Sequence, residues 1–491
     1  MNGFKINRIK IEEYNTILYY IACIIILLGL FMLIPLGVAI IFHDLSKYFL
    51  SFLVSGNICF IVGIILLNIC NNKKIINMSF KGSLMFVMLI WLITAFFSAL
   101  PFIISGDLSF IDAYFESMSG ITSTGFTLYG DKILAYSIAF WRSFLQWLGG
   151  LGIIFLLLVI VPSNVNLKRL YMAEGRTEQM NPNIFHNATN FIKIYLILTI
   201  IGISLYILTG LSVFDAVCYS FTALGTGGFS VNPTNLDNFI NPYIQLVTLI
   251  LMIMGATNFL IHYRIMKRDF LNITKDIELR AFYLIIISAT IIISLNLYFE
   301  GYYNHDIIII LRHSLFQVTS VLTSTGFQST NIDLWTPFSY HVLVILMFIG
   351  GCACSTASGI KVYNISIMFK SILWEIEQMF LPRKVILKRK VYHYKSVKEI
   401  TLENITTIQI YIFMYIFIFL ISSIILLMYT DLQTSYTVVA ASVGNTGLAP
   451  SYIDLNIPIV VKITLIFDFF VGRIGIWPIL LPLLYSYNKI K

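Results

Sequence analysis

Apolar runs long enough to cross a membrane recur along the whole sequence, and they constrain the fold more than any other feature. A transmembrane helix needs about 20 consecutive apolar residues. Only 11% of the residues are charged, whereas about one quarter is usual for a soluble domain. The chain is therefore predicted to be an integral membrane protein without a separate enzyme domain. Its apolar runs are residues 16–41, 49–69, 84–104, 140–161, 191–209, 244–262, 282–298, 340–351, 408–428 and 457–485.

The basic residues are concentrated in alternate loops. They precede the first apolar run, follow the second, fourth and sixth, and form a basic stretch at 383–398 before the ninth. The positive-inside rule makes these loops cytoplasmic, which predicts a multi-pass plasma (inner) membrane protein with both termini in the cytoplasm. The net charge of +8 therefore needs no nucleic-acid partner, although the basic stretch could dock a cytosolic subunit or anionic lipid.

The first apolar run lacks the small-residue cleavage site of a signal peptide, so we expect it to be a retained helix.

Four similar hexapeptides rich in glycine and small polar residues interrupt the apolar pattern. They read ITSTGF at 121–126, LGTGGF at 224–229, LTSTGF at 322–327 and VGNTGL at 443–448. Aligned on their shared glycine, they lie 103, 98 and 121 residues apart, and this period indicates an internal repeat. Each repeat is predicted to contain a membrane helix, a half-helix too short to span, the glycine loop and a second membrane helix.

An aspartate precedes the shared glycine by 13 positions in the first two repeats. Asp112 and Asp215 are predicted to cap their half-helices, and the alternative is that they are ordinary loop aspartates. In the third repeat Asp306 lies further upstream, and the fourth repeat offers Thr434 or Ser435. Half-helices of this kind direct their partially negative C-terminal ends at a common centre, which favours a cation there.

The glycine loops have the chemistry of a cation selectivity filter. Non-helical backbone exists at membrane depth only where it is buried in protein or lines a watery path. Carbonyl oxygens from several loops can replace the water around a monovalent cation without a fixed negative charge. Glycine permits a positive φ angle and the close approach of several chains. The predicted filter residues are Thr122, Ser123, Thr124, Gly125, Gly225, Thr226, Gly227, Gly228, Thr323, Ser324, Thr325, Gly326, Gly444, Asn445, Thr446 and Gly447.

Longer motifs surround these loops. They read FESMSGITSTGF, WRSFLQWLGGLGI, ALGTGGFS, NFLIH, LFQVTSVLTSTGF, GGCACSTASGIKV, GNTGL and VGRIG, and they extend over residues 80–485. Together they resemble the TrkH/KtrB superfamily of potassium uptake proteins, and the TrkH side more closely. The resemblance implies an all-α integral membrane protein with four membrane-pore-membrane repeats around a pseudo-fourfold pore, preceded by two additional transmembrane helices. It also implies a homodimer with one pore in each protomer, gated by a cytosolic nucleotide-binding regulatory subunit, a TrkA/KtrA-like ring.

The repeat spacing and the resemblance divide the chain into six segments. The glycine loops place one repeat in each of four segments, and a basic linker separates the last two repeats. The predicted segments are a two-helix segment at 1–80, repeats at 81–165, 186–270 and 280–372, a basic cytoplasmic linker at 373–403, and the fourth repeat at 404–491.

A run of small residues at 350–361 interrupts the long apolar segment of the third repeat. Glycine and serine hold a helix poorly, so a break is predicted there, and the alternative is a flexible kink between two packed helices. The resemblance implies that the break is an intramembrane gate beneath the filter, although Cys354 and Ala357 stand where the family usually has glycine. The predicted gate residues are Gly350, Gly351, Cys352, Ser355, Thr356, Ser358, Gly359, Lys361 and Arg473.

Arg473 is a charged residue inside the last apolar run. At about 1.5 Å per residue, it lies ~24 Å from the start of its helix near residue 457. An arginine at that depth is a functional candidate because leaving it in lipid is costly. The resemblance implies a position in the pore below the filter, where its charge raises the barrier to conduction and helps to hold the gate. The alternative is a structural ion pair with Asp468, although residues five apart do not share a helix face.

These features predict a potassium-selective uptake protein that moves K⁺ into the cytoplasm and is not an enzyme. The K⁺ ion, held by filter carbonyls, is the only expected metal, and no prosthetic group is expected. Members of the superfamily with serine at the first-loop glycine tend to pass sodium, so Gly125 favours potassium. A sodium-permeable or weakly selective transporter is the main alternative. A multi-pass membrane enzyme is a second, although no HExxH, nucleophile elbow or GxxxxGK motif supports it, and a non-conducting scaffold is a third.

Overall fold

Helices form almost all of the regular structure of this chain. Within the residues that it describes, the computed structural model contains 17 α-helices and one two-stranded antiparallel hairpin. Six helices there are long and apolar enough to cross a membrane, or up to seven if one bent pair counts as a single span. The predicted all-α membrane fold is confirmed. The described residues are 11–70, 78–130, 132–152, 184–231, 241–270, 273–382, 387–394, 396–448 and 452–480.

Three helices precede the repeats. Helix α1 (Ile11–Phe31) continues into α2 (Leu33–Ile41), and α3 (Ser46–Cys70) returns beside α1. Helices α1 and α3 both pack against the first helix of the first repeat. The Ser79 hydroxyl at the start of that helix donates to the Glu13 carboxylate of α1 at 2.7 Å. The N-terminal helices are therefore fastened to the first repeat and lie outside the ring of half-helices.

The four repeats share one order of elements: an outer helix, a half-helix and an inner helix. In the third repeat the inner element is divided into two helices, and in the second it bends sharply. The helices are α4 (Phe80–Ile104), α5 (Phe110–Ile121) and α6 (Tyr136–Leu151) in the first repeat; α7 (Ile184–Leu208), α8 (Val213–Leu224), α9 (Pro242–Ala256) and α10 (Phe259–Met266) in the second; α11 (Ile277–Phe299), α12 (Ile307–Leu322), α13 (Pro337–Ile349) and α14 (Val362–Phe380) in the third; and α15 (Leu402–Leu426), α16 (Leu432–Val443) and α17 (Ile459–Ile474) in the fourth.

The half-helices α5, α8, α12 and α16 are packed in a cycle. Each of the last three contacts the inner helix of the repeat before it: α8 packs against α6, α12 against α9, and α16 against α13. Helix α5 packs against α17 of the fourth repeat, which closes the cycle. The repeats therefore surround a common axis, as expected of four copies of one unit within a single chain.

Some predicted apolar segments are not continuous helices, and the run at 457–485 is interrupted at Gly475, after α17 ends at Ile474. The run at 244–262 bends by 101° between α9 and α10. Thr257 is extended there, and the Asn258 side chain accepts the Leu260 N–H at 2.9 Å, which starts a new helix. The run at 340–351 ends at Ile349, before the predicted break.

The predicted linker at 373–403 contains regular structure that the sequence analysis missed. Helix α14 enters it, and strands β1 (Lys390–His393) and β2 (Ser396–Glu399) form an antiparallel hairpin with Lys390 opposite Glu399.

Some predicted features lie outside the described residues. They are the basic residues before the first apolar run, those at 168–176, and the chain beyond residue 480. The segment boundaries given above stay a prediction.

Candidate functional site

Each half-helix ends in the same backbone motif. In the first loop the Thr124 N–H donates to the Ser119 carbonyl at 2.8 Å, and the Ser123 N–H donates to Gly120 at 3.0 Å. This pattern is a Schellman C-cap, and it requires a left-handed residue after the helix. Ser123 supplies that residue with φ 56°. The other three loops repeat it, with φ between 50° and 56° at Thr226, Ser324 and Asn445.

The shared glycines interlock the four loops. All four have positive φ, between 64° and 95°. A Cβ atom on any of them would collide with a carbonyl oxygen of the next loop in the chain, and the fourth loop meets the first. The four loops therefore form a closed ring in which both the φ angle and the available space require glycine. The contacts run from Gly125 to Gly227, from Gly228 to Thr325, from Gly326 to Thr446 and from Gly447 to Thr124.

The first and third loops are braced internally by threonine pairs. The hydroxyl groups of Thr122 and Thr124 are 2.7 Å apart, and those of Thr323 and Thr325 are 2.8 Å apart. All four side chains are fully buried. These hydrogen bonds hold each loop without a contribution from another repeat.

The second and fourth loops are braced from outside. The Gln146 amide of α6 donates to the Gly227 carbonyl at 2.7 Å and accepts the Phe229 N–H at 3.0 Å. The Asn445 amide of the fourth loop donates to the Thr124 hydroxyl of the first at 2.7 Å. Gln146 was not predicted from the sequence, although an amide inside an apolar helix is a signal for such a role, and it is fully buried here.

A buried ion pair supports the segments that follow the first two loops. Arg142 of α6 pairs with Glu116 of α5 at 2.7 Å, and their side chains are 4% and 0% exposed. Glu116 also accepts from the Thr127 hydroxyl at 2.9 Å and the Leu128 N–H at 3.0 Å. The guanidinium carbon of Arg142 lies 4.1 Å from the ring centroid of Phe229. This pair was not predicted from the sequence, although charges within apolar segments are candidates for such pairing.

Arg142→Met is expected to destabilise the protein by about 3–5 kcal/mol, because it leaves the Glu116 carboxylate buried without its cation. Adding Glu116→Gln should restore most of that loss. Thermal unfolding of purified protein in detergent measures both effects. Lys47→Met is the matched control, since the Lys47–Asp107 pair has a lysine that is 45% exposed and should contribute about 1 kcal/mol or less. Similar unfolding temperatures for Arg142→Met and Lys47→Met would contradict a structural role for the buried pair.

Asp112 and Asp215 are not the N-caps of the first two half-helices, so that prediction is wrong. Ser109 and Ser212 are the N-caps, and their hydroxyl oxygens accept the N–H groups of Asp112 and Asp215. The aspartates lie in the first turn and accept these hydroxyl protons at 2.7 and 2.8 Å. The serine takes the cap because it is the last extended residue before each helix. Asp112 also pairs with Lys462 of α17 at 2.5 Å and so joins the first and fourth repeats.

The other two half-helices are capped by aspartates. Asp306 accepts two first-turn N–H groups at 2.9 and 3.2 Å, which makes it the cap of the third. Asp431 caps the fourth by accepting the Thr434 N–H at 3.0 Å. The predicted alternatives Thr434 and Ser435 are therefore wrong, because both lie inside the helix that Asp431 starts.

The residues between α13 and α14, which we call the 350–361 loop, form a doubled-back segment without helix. The Lys361 N–H donates to the Ile349 carbonyl at 2.8 Å, so the two ends of the loop lie side by side. A Cβ atom on Gly350 would collide with the Ser358 carbonyl. Cys354, at a usual glycine position, has φ 52°. The predicted break in the third repeat is confirmed, and its role as a gate stays a prediction.

Thr356 places this loop directly against the second half-helix. Its hydroxyl lies 3.0 Å from the Leu224 carbonyl and 2.8 Å from the Gly255 carbonyl. The Thr226 hydroxyl of the second glycine loop is 3.3 Å from it. The Thr356 N–H donates to the Gly255 carbonyl at 3.1 Å. Of the predicted gate residues, Thr356 therefore connects the loop most directly to the ring.

Arg473 also holds the 350–361 loop. Its guanidinium donates to the Thr356 carbonyl at 2.5 Å and lies 3.3 Å from the Ser358 hydroxyl. It also donates to the Gly149 carbonyl near the end of α6. One side chain of the fourth repeat thus joins the loop of the third repeat to the inner helix of the first.

Asp468 interacts with two serine hydroxyls. Its fully buried carboxylate accepts from the Ser422 hydroxyl at 2.7 Å and lies 3.2 Å from the Ser442 hydroxyl. It therefore joins α15, α16 and α17 behind the fourth loop. Among the described residues, the alternative ion pair between Asp468 and Arg473 is absent.

The hairpin is anchored close to the 350–361 loop by residues that the sequence analysis missed. The Asp276 carboxylate accepts the Tyr394 N–H at 2.7 Å and lies 3.2 Å from the His393 ring. Two residues further on, Glu278 accepts the Ala353 N–H at 2.5 Å.

Asp276, Glu278 and His393 are close enough to one another to hold a metal ion. The Asp276 oxygens, however, already accept three backbone N–H groups, two of them in the first turn of α11, and lie against the His393 ring, so the group serves as an anchor.

Comparison with known proteins identifies the family. The sequence profile of TrkH, described as cation transport protein, matches residues 49–486. The chain belongs to the TrkH family. The match includes all four repeats, the ring of glycine loops and the 350–361 loop. The predicted resemblance is therefore confirmed.

Relatives of this TrkH family member cover almost its whole length. An uncharacterized cation transporter of Methanocaldococcus jannaschii is 31% identical over 98% of both chains. The Trk system potassium uptake protein TrkH of Escherichia coli K12 is 30% identical over 95% of this chain and 98% of its own. The crystal structure of the potassium transporter TrkH from Vibrio parahaemolyticus matches with a TM-score of 0.84 at 28% identity, covering 95% of this chain and 98% of that one.

Proposed function

We propose that this protein is a potassium uptake protein that moves K⁺ across the plasma membrane into the cytoplasm and is not an enzyme. The observation that carries the proposal is the closed ring of four glycine loops, each pressed against a carbonyl of the next. Relatives of nearly the same length are named potassium uptake proteins, which supports potassium as the cargo.

The ring supplies the chemistry that a dehydrated K⁺ ion needs. The carbonyls of Thr124, Gly227, Thr325 and Thr446 are the oxygens that abut the shared glycines, and together with their neighbours they would replace the hydration shell. The C-terminal ends of four half-helices add partial negative charge at the same place. The filter thus attracts a cation without any carboxylate, which would hold the ion too tightly to release it.

The 350–361 loop and Arg473 would form the gate. The loop lies against the second filter loop through Thr356, and Arg473 fixes it to Gly149 across the ring. A guanidinium there adds a positive charge to the path of a cation. Flux would therefore require the loop and Arg473 to move, and a cytosolic nucleotide-binding subunit on a homodimer of this chain would supply the signal.

Rescue of potassium-limited growth tests which ion the protein transports. A host that lacks its own potassium uptake systems should grow at submillimolar K⁺ when it expresses this protein, and cell K⁺ content should rise while Na⁺ content does not. Normal membrane expression without rescue would overturn the proposal. An equal rise in Na⁺ would establish the sodium-permeable alternative instead.

A further inference from the structure

A cavity of about 420 Å³ lies where α11, α14 and the hairpin meet. The start of α11 forms one wall, the middle of α14 a second, and strand β1 a third. Its lining residues are Lys275, Ile277, Arg280, Lys370, Lys390, Val391 and Tyr392. We call it the basic cavity, and none of its residues belongs to the filter or the 350–361 loop.

Four of the seven lining side chains are cationic and none is acidic. Lys275, Lys370 and Lys390 are exposed and form no ion pair with any residue that the structure describes. Arg280 donates to the Thr274 carbonyl, which fixes its side chain at the rim. Cations brought together from three elements repel each other, and an anion between them would relieve that repulsion.

Nearby acidic residues do not neutralise the basic cavity. The Asp276 carboxylate is buried and accepts from the hairpin backbone. Glu375 of α14 pairs with Arg389 at 2.9 Å. Glu399 faces Lys390 across the hairpin, but these two residues form no ion pair within the described chain. The net charge at the cavity therefore stays positive.

An exposed apolar stripe begins beside the cavity. Helix α14 carries exposed apolar residues at positions i, i+3, i+4, i+7 and i+11, which share one helix face. Phe369 directly precedes Lys370 of the cavity. On the neighbouring span α11, Leu284 and Ile287 are 66% and 58% exposed. The stripe on α14 consists of Phe369, Ile372, Leu373, Ile376 and Phe380.

We propose that the basic cavity binds the phosphate of an anionic phospholipid headgroup, with the acyl chains lying along the apolar stripe. A pocket of basic residues at the start of a membrane span, on the side that the charge pattern predicts to be cytoplasmic, is suited to such a headgroup. A soluble phosphate ester has the same headgroup chemistry. The adjoining stripe favours the lipid, because only a lipid would cover both surfaces.

The test uses the full-length protein purified in a neutral detergent, to which phosphatidylglycerol, phosphatidylcholine or soluble glycerol phosphate is added. The variant Lys370→Gln/Lys390→Gln removes two cavity charges. The matched control Lys193→Gln/Lys267→Gln removes two exposed charges elsewhere. Thermal unfolding measures stabilisation, and native mass spectrometry counts bound lipid and chains.

Phosphatidylglycerol should raise the unfolding temperature of the wild type and the control, while phosphatidylcholine and glycerol phosphate should not. The cavity variant should bind phosphatidylglycerol roughly thirtyfold more weakly, since it removes two surface cations that each contribute about 1 kcal/mol to attraction of an anionic lipid. Phe369→Ser/Leu373→Ser should also weaken lipid binding, because it shortens the apolar stripe.

Three results would overturn the proposal. The first is equal lipid binding by the cavity variant and the control. The second is equal stabilisation by glycerol phosphate and phosphatidylglycerol, which would mean a soluble anion site. The third is loss of the dimer, without loss of lipid, in Phe369→Ser/Leu373→Ser, which would assign the stripe to a second copy of the chain. If Lys370→Gln/Lys390→Gln fails to fold, Lys275→Gln/Arg280→Gln provides the same comparison from α11.

Discussion

Gly326→Ser is expected to reduce K⁺ uptake by roughly tenfold or more and to admit Na⁺, while the protein still reaches the membrane. Gly326 has φ 82°, and a Cβ atom there would collide with the Thr446 carbonyl of the next loop. A residue forced into such a conformation costs about 1–3 kcal/mol, and relief comes only by displacing the carbonyl that the ion needs. Uptake of K⁺ and Na⁺ by the deficient host, normalised to membrane protein, measures the effect.

Gly106→Ser is the matched control for this prediction. Gly106 has a similar φ of 75°, but no atom lies within 4 Å of a Cβ built on it. The control therefore carries the same backbone strain without the collision. Uptake should remain near the wild-type rate in Gly106→Ser. Equal loss in both variants would show that strain alone explains the effect, and equal rescue by both would contradict the filter assignment.

Arg473→Gln is expected to raise the K⁺ flux of the protein alone by roughly tenfold. A unit charge about 10 Å from an ion contributes about 1–2 kcal/mol at an effective dielectric constant of ~20, and this variant removes it. The same change weakens the contacts that join the 350–361 loop to Gly149. Flux of K⁺ into vesicles that contain only this protein, with a protonophore to carry the compensating charge, measures the gain.

Arg473→Lys separates charge from geometry. Lysine keeps the positive charge but lacks the planar fork that reaches Thr356 and Gly149 together. Flux should stay low in this variant if the charge forms the barrier, and should match Arg473→Gln if the hydrogen bonds hold the gate. Arg389→Gln is the control, since Arg389 pairs with Glu375 away from the pathway. Unchanged flux in both Arg473 variants would exclude a gating role.

The repeat plan was predictable because its signals are local. The length of an apolar run identifies a span, and a glycine after small polar residues identifies each loop of the ring. Even the cap error could have been avoided, since Ser109 and Asp112 are separated by the three positions of a capping box. Short-range patterns of this kind need no knowledge of what packs against them.

Contacts between distant parts of the chain could not be predicted in this way. Gly447 and Thr124 are more than 300 positions apart, and only the closed ring brings them together. The sharp bend after α9 and the anchored hairpin depend on partners more than 100 positions away, and the Glu116–Arg142 pair depends on how two helices of the first repeat pack. The sequence of one apolar helix does not indicate which other segment will pack against it and supply a polar group. These contacts are therefore visible only in the structure.

The unequal bracing of the four loops has a consequence for how ion preference can evolve. The first and third loops rely on threonine pairs, whereas Gln146 supports the second and Asn445 connects the fourth to the first. In a channel built from four identical subunits, a single codon change alters every quadrant at once. In this chain it alters one quadrant of the proposed filter, so ion preference can change in small increments without the loss of all the coordinating oxygens in one step.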